Sequence, residues 1–324
     1  MSFHPSQTNS LLYKLGPDLF AIRHVIKAEL LDRTQRHARE WGVNIESTVE
    51  TETSVIVFGT RELITSGRVD HQPVVLKVVK QPGDEWHSGE VLAAFAGKGV
   101  LHVYEHAPGA VLLERLRPGT SLLDLTLNGR DDDATSILAS VIQQMSSCES
   151  LSEDELTKLR APLQHCPTVR DWASGFERYL AGGDKQIPDC LVAAGQRVFL
   201  GLCESQRQPR LLHGDLQHYN VLLDSTRGWL AIDPKGVFGE IEYEVGAVLR
   251  NPVDWPELFL SRSTIEKRLE QFTTILNLDY ERALRWGFAQ AVLSAIWEVE
   301  DGHVLETIDP ILKLAEVMRS MLTE

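Results

Sequence analysis

His213-Gly214-Asp215-Leu216-Gln217-His218-Tyr219-Asn220, followed by Ile232-Asp233-Pro234-Lys235-Gly236, decides the reading of this chain. Its Asp, Asn and second Asp stand at spacings that suit phosphoryl transfer from a metal-bound nucleotide. In that chemistry one carboxylate orients the attacking hydroxyl, while an Asn and a second carboxylate hold metal ions. The flanking residues explain why the three should meet. Leu211-Leu212 leads into the His-Gly-Asp turn, and Val221-Leu222-Leu223 reads as a short strand. Residues 224–228 form a turn cluster, and residues 229–232 read as the return strand. Antiparallel pairing would set Asn220 almost opposite Asp233, with Cα atoms roughly 5 Å apart. Two oxygen ligands for Mg²⁺ then sit at the open end of one hairpin. Asp215, on the connecting loop, is free to face an acceptor hydroxyl. The plainer alternative is a hairpin whose Asp and Asn are ordinary turn formers. His213-Gly214 and Asp233 at the far end weigh against it.

At 324 residues the chain can form two lobes, each with its own core. Hydrophobic and charged fractions of 43% and 24% are those of an ordinary globular protein. No apolar run approaches the ~20 residues of a membrane span. Residues 1–10 lack the basic segment and apolar core of a signal peptide. The expectation is a cytoplasmic protein with no membrane partner. Cys148, Cys166, Cys190 and Cys203 are scattered, with no Cys-x-x-Cys pair, and read as reduced thiols. The net charge of −14 argues against a nucleic-acid partner. It suits a cationic small-molecule substrate, or solubility alone.

Along the chain, residues 18–41 carry Leu19, Ile22, Val25, Ile26, Leu30 and Leu31 at helical spacing. Residues 43–49, 55–58 and 74–79 read as strands, with Gly67 and Pro73 marking the loop before the third. Residues 84–96 read as a helix that starts near Asp84 and stops before Gly97. Residues 100–105 and 111–116 form a hairpin around Pro108-Gly109. After Pro118-Gly119, amphipathic stretches dominate at 134–148, 171–180, 191–204, 263–276, 280–299 and 308–321. Asp131-Asp132-Asp133 reads as a solvated helix start rather than a metal cluster. The predicted class is α+β in two lobes. Residues 1–116 form a small strand-rich nucleotide-binding lobe with an N-terminal helix, and residues 117–324 a larger helical lobe with the catalytic loop, metal site and substrate site. Ligands commonly bind in such a cleft.

Lys77 interrupts a strand that is otherwise apolar on both faces. A buried ammonium is costly without a partner. Glu90 on the next helix is the expected partner, Glu85 the alternative, and an edge strand with Lys77 in solvent the plainer case. The turn at residues 50–54, where a glycine loop would cover phosphates, holds no glycine. Ser and Thr hydroxyls and backbone N–H groups would have to serve there, with Glu50 and Glu52 turned away.

These residues extend to Val75-Leu76-Lys77, Leu113-Glu114-Arg115-Leu116 before Pro118-Gly119, and Tyr243. Beyond them come Leu249-Arg250-Asn251-Pro252, Leu293-Ser294-Ala295, Trp297 and Glu300-Asp301-Gly302. Together they resemble the aminoglycoside phosphotransferase family, which has a protein-kinase-like fold, and within it the streptomycin 6-phosphotransferase/hydroxyurea phosphotransferase branch. The Ile-Asp-Pro-Lys-Gly and Arg-Asn-Pro pieces point to the branch, whereas His-Gly-Asp marks only the wider superfamily. The resemblance implies ATP- and Mg²⁺-dependent transfer to a hydroxyl of a small molecule, an aminoglycoside such as streptomycin. It implies Asp215 as catalytic base, Asn220 and Asp233 as Mg²⁺ ligands, and Lys77 on the nucleotide phosphates with Glu90 as its anchor. Glu114 to Leu116 would be the hinge whose backbone meets adenine. Trp297, Glu300 and Asp301, with Glu298, end an apolar helix and would bind a cationic acceptor; a solvated helix end is the plainer reading. Lys235, beside Asp233, is expected to help neutralise phosphate charge. Tyr243-Glu244 stands where relatives often have Tyr-Asp, a tolerated change at a structural position.

Three rivals remain. His102-Val103-Tyr104-Glu105-His106 matches the H-x-x-E-H pattern of inverted zinc proteases, which needs a helix to bring both His to one metal. Its flanks predict a strand, with the two His roughly 13 Å apart. For a protein kinase, residues 236–249 leave little room for an activation loop before Arg250-Asn251-Pro252, and Ala-Pro-Glu is absent. A non-catalytic nucleotide-binding protein would not need the full catalytic set. Choline, homoserine, amino-sugar and fructosamine kinases share the general fold, so the reaction is better defined than the acceptor.

Overall fold

The computed structural model describes residues 18–65, 68–146, 157–158, 160–306 and 308–322, with side chains from residue 28 onward. The expectations for residues 1–10, Gly67 and Cys148 lie outside the described residues. Helix α1 (Asp18–Glu40) is followed by β1 (Val43–Glu50), β2 (Ser54–Thr65) and β3 (Arg68–Val79), then by α2 (Ser88–Ala94), β4 (Val103–Ala107) and β5 (Ala110–Glu114). The strands form one antiparallel sheet in the order β1-β2-β3-β5-β4.

Period-two alternation in β3 sets the two faces of this sheet. Val74, Leu76 and Val78 turn to one face and are buried with Leu30, Ala38 and Leu112 under α1. Each fully buried Val or Leu among them contributes roughly 1.5–3 kcal/mol. Val75 turns to the opposite face, toward α2 and the helical region, with Val111 and Leu113 of β5. Lys77 shares that second face, so its ammonium is aimed at the cleft.

The β2–β3 hairpin is longer than the apolar runs indicated, and Pro73 pairs with Thr60 inside β3 instead of marking a loop. It lies beyond the last residue that β5 pairs, so on that side its missing N–H breaks no ladder bond. The α2 helix begins at Ser88, not near Asp84. Trp86 N–H donates to the Gly83 carbonyl at 3.0 Å and Ser88 N–H to Glu85 at 3.1 Å, so residues 83–88 are turns.

The helical region opens with β6 (Pro118–Ser121), α3 (Leu123–Leu127) and α4 (Asp131–Met145). Asp131 at the start of α4 is held by Arg268 through bonds of 2.8 and 2.9 Å, and Asp132 by Lys267, so the Asp run is a helix start paired with cations. The helix Tyr280–Glu300 runs through the middle of this region, with Trp286, Phe288, Val292, Leu293 and Ile296 fully buried. Its start is capped by Asp279, whose side chain accepts from Arg282 N–H at 3.0 Å. Among the described residues Cys166, Cys190 and Cys203 are free thiols, and no helix is long and apolar enough to cross a membrane.

Candidate active site

Two short ladders frame the site. Strand β7 (Arg210–Leu212) pairs with β10 (Val237–Gly239), and β8 (Val221–Asp224) pairs with β9 (Gly228–Ala231). Between them, residues 213–220 face residues 232–236. Lys235 and Gly236 N–H groups both donate to His213 O at 3.0 Å, and Ile232 N–H donates to Asn220 O at 2.9 Å. Asn220 therefore stands opposite Ile232, one residue from Asp233. Asp233 itself has φ 55°, a left-handed conformation that Asp tolerates better than most side chains.

The loop carrying Asp215 is fixed from beneath. His213 is fully buried, with Nε2 at 2.8 Å from Ile232 O, and its Nδ1 accepts from Asp215 N–H at 3.3 Å. Only a neutral ring protonated on Nε2 meets both bonds, and burial lowers its pKa in that direction. The Glu244 carboxylate accepts from the N–H groups of His213 and Gly214. Burial, opposed by those bonds and reinforced by the Asp215 charge, raises the Glu244 pKa to about 7. Glu244 is thus a brace under the Asp215 loop. Asn220 Nδ2 donates to Asp215 O at 2.9 Å, which leaves its Oδ1 for a cation. Arg250 Nη2 lies 3.4 Å from Asp215 Oδ1.

Lys77 is only 4% exposed, and its Nζ lies 2.7 Å from Asp233 Oδ1 and 2.9 Å from Glu85 Oε2. Burial works against this charge, but the two carboxylates outweigh it, so the pKa is raised. The expected Lys77–Glu90 pair is not formed. Because α2 starts late, the turn at 83–88 delivers Glu85 to Lys77, while Glu90 on the helix meets His87 and His165. In the glycine-free turn, Thr53 and Ser54 hydroxyls approach Glu85 at 3.4 Å, and Glu50 turns aside to Lys80 at 2.9 Å. Glu114 and Leu116 lie where the chain leaves β5. Glu114 N–H donates to His102 O at 3.0 Å, its carboxylate holds Arg227, and Leu116 is buried. His106 lies in strand β4 with His102 just before it, so the zinc-protease reading fails.

Asp215 lines a cavity of about 510 Å³ with Gln217, Arg250, Ser294, Glu298 and Asp309. Trp297, Glu300 and Asp301 do not line it. They line a neighbouring cavity of about 340 Å³ with Trp172, Arg178 and Lys235. The reason is helical periodicity. Positions 297, 300 and 301 share one face, whereas 294 and 298 share the next. Glu300 is moreover held by Arg178 through bonds of 2.8 and 2.9 Å. Lys235 Nζ is 5.8 Å from the Trp297 ring and 3.5 Å from Asp84, beside Asp233 in sequence but engaged on the other side. Glu298 belongs to the acidic helix end read from the sequence, but its facing differs from its neighbours'. Arg250 and Asp309 were not singled out as site residues; the i, i+4 spacing of Ser294 and Glu298, and Asp309 before Pro310, were the available signals.

The donor set at the cleft fits Mg²⁺, a hard cation that takes oxygen ligands. Asn220 Oδ1 and the Asp233 carboxylate project from adjacent strand ends, and Asp233 already balances one positive charge.

A sequence model of the aminoglycoside/hydroxyurea antibiotic resistance kinase family matches residues 47–302. The chain belongs to this family. It is 32% identical over 243 residues to the streptomycin 3''-kinase of Klebsiella pneumoniae, covering 72% of this chain and 83% of that one. It is also 32% identical over 251 residues to the hydroxyurea phosphotransferase of Kitasatospora aureofaciens, covering 73% and 65%. Among solved structures, a thermostable mutant of aminoglycoside phosphotransferase APH(4)-Ia in ternary complex with ADP and hygromycin B aligns with TM-score 0.58 at 15% identity, covering 90% of this chain and 97% of that one. Choline kinase LicA from Streptococcus pneumoniae aligns with TM-score 0.55 at 12% identity, covering 93% and 99%. The fold is thus the two-lobed protein-kinase-like one, and the chain is a small-molecule phosphotransferase.

Proposed function

We propose that this chain transfers the γ-phosphoryl group of ATP to a hydroxyl of a cationic small molecule, an aminoglycoside of the streptomycin kind. The observation that carries the reading is one cavity lined both by Asp215 and by the carboxylates of Glu298 and Asp309. Its volume of about 510 Å³ suits a small-molecule ligand. The carboxylates supply counter-charge for amino or guanidino groups, and the similarity to a streptomycin 3''-kinase supports the same acceptor class.

In this mechanism the acceptor hydroxyl approaches Asp215, which takes its proton as the oxygen attacks the γ-phosphorus. The bond from phosphorus to the bridging oxygen breaks, and ADP leaves with that electron pair. Arg250, 3.4 Å from Asp215 Oδ1, keeps the carboxylate aimed. Asn220 and Asp233 would hold Mg²⁺, which when bound offsets the phosphate charge. Lys77 binds the phosphates from the sheet side. Such catalysis is mostly positioning and electrostatics, consistent with the bracing of the loop by His213 and Glu244.

The test is Mg²⁺-dependent ATP turnover with a panel of streptomycin, other aminoglycosides, free amino sugars and hydroxyurea. Streptomycin-type acceptors should give the highest kcat/KM. Asp215→Ala should abolish transfer and keep ATP binding. Full residual transfer in that variant, or turnover confined to neutral acceptors, would overturn the proposal.

A further inference from the structure

Away from the Asp215 cavity, three side chains converge where α2 meets residues 160–167 of the helical region. His87 Nδ1 lies 3.1 Å from Glu90 Oε1, and His165 Nδ1 lies 3.2 Å from Glu90 Oε2. The two imidazoles stack with centroids 3.7 Å apart. One donor atom from each of the three residues lies within 4.8 Å of the other two. Glu90 is released for this cluster because Glu85 and Asp233 already neutralise Lys77. His87 and His165 also line a cavity of about 140 Å³ with Cys166 and Gly236, which offers room for an ion and a water.

The donor set and spacing select the metal. Two imidazole nitrogens and one carboxylate suit Zn²⁺, which binds both ligand types at ~2.0–2.2 Å in tetrahedral sites. The His87 and His165 nitrogens lie 3.1 and 3.2 Å from the two separate oxygens of Glu90, and one donor atom of each residue lies within 4.8 Å of the other two, so the three donors stand close to the roughly 3.3–3.6 Å edges of such a tetrahedron. We propose that His87, Glu90 and His165 form a Zn²⁺ site, with its fourth position open to the small cavity. The ligands come from opposite sides of the cleft, so the ion clasps α2 to the helical region.

The experiment uses the full chain, stripped with a chelator and dialysed against Zn²⁺ alone, without nucleotide or acceptor. One Zn²⁺ per chain is expected, with a rise in Tm of a few degrees. In the Co²⁺-loaded protein, the intense visible bands of a tetrahedral site are expected. His165→Gln and His87→Gln should each weaken binding at least tenfold and remove the Tm rise. Their unfolding in chelator should match the parent chain, which separates lost metal from lost folding. If one of them does not fold, Glu90→Gln supplies the same comparison. His303→Gln controls for the exposed Glu298–His303 pair and should bind as the parent does. Absence of binding, binding that survives loss of His165 or His87, or binding lost only in His303→Gln would overturn the proposal. None of these readouts depends on phosphotransfer.

Discussion

Glu244→Gln isolates the electrostatics of the brace under the Asp215 loop. In the folded chain Glu244 titrates at about 7 against an ordinary value of 4.5, chiefly because it is buried. The fold therefore holds a proton that the unfolded chain releases between those values. This contribution to stability is complete below the ordinary value and is lost as the pH rises through the raised one. Lowering the pH from about 7.5 to about 5.5 should raise it by about 2 kcal/mol. His218 acts in the opposite direction. Burial, with Arg268 beside it, lowers its pKa from 6.5 to about 3. The folded ring stays neutral while the unfolded one takes a proton, which costs about 1.4 kcal/mol over the same interval. In the parent chain the Glu244 term therefore opposes the histidine terms, to which buried His213 adds in the same direction as His218. Gln keeps an oxygen for the His213 and Gly214 N–H groups and removes the titration. Urea unfolding at the two pH values should show the variant losing about 2 kcal/mol relative to the parent on acidification. Parallel profiles for the two proteins would refute the reasoning.

Gly236 has φ 77°, and a Cβ there would come 2.5 Å from Val91 Cγ2; Gly236→Ala should destabilise the chain by about 2–4 kcal/mol in denaturant unfolding, from overpacking and left-handed strain together. Glu298→Gln should raise acceptor KM about tenfold with ATP KM unchanged, whereas Asp301→Asn should leave acceptor KM within about twofold; steady-state kinetics with both substrates varied would separate them. Lys77→Met should raise ATP KM and lower kcat by at least about tenfold. Glu85→Gln, which removes half of the counter-charge on Lys77, should raise ATP KM more than Glu90→Gln does, and the reverse order would restore the sequence-based pairing.

The Asp215, Asn220 and Asp233 arrangement was legible because it is local. A turn cluster at 224–228 fixes the register of two short strands, and the register fixes which residues meet. The face on which Lys77 sits was equally legible from alternation. Its partner was not, since Glu85 and Glu90 are both within reach and the choice depends on where α2 begins. Backbone bonds in the turns at 83–88 make that choice, and no side chain announces them. The length of the β2–β3 hairpin was not legible because Arg68, Asp70 and His71 are exposed, so no apolar alternation marks that end. At the acidic helix end, periodicity could sort Glu298 from Glu300 and Asp301. Deciding which face borders Asp215 required the packing of the helix Tyr280–Glu300 against the helical region.

The bridge from Lys77 to Asp233 makes the cleft its own counter-ion pair. In the proposed mechanism each group stands in for what the other is to meet, the carboxylate for a phosphate and the ammonium for a metal. Nucleotide binding in that mechanism is then an exchange of partners rather than the neutralisation of bare charges. Asp233→Asn consequently alters two things at once: it weakens the cation site, and it leaves the Lys77 ammonium with Glu85 as its remaining close carboxylate. Loss of activity in that variant would come together with loss of stability, and the two can be told apart only where folding is measured beside turnover.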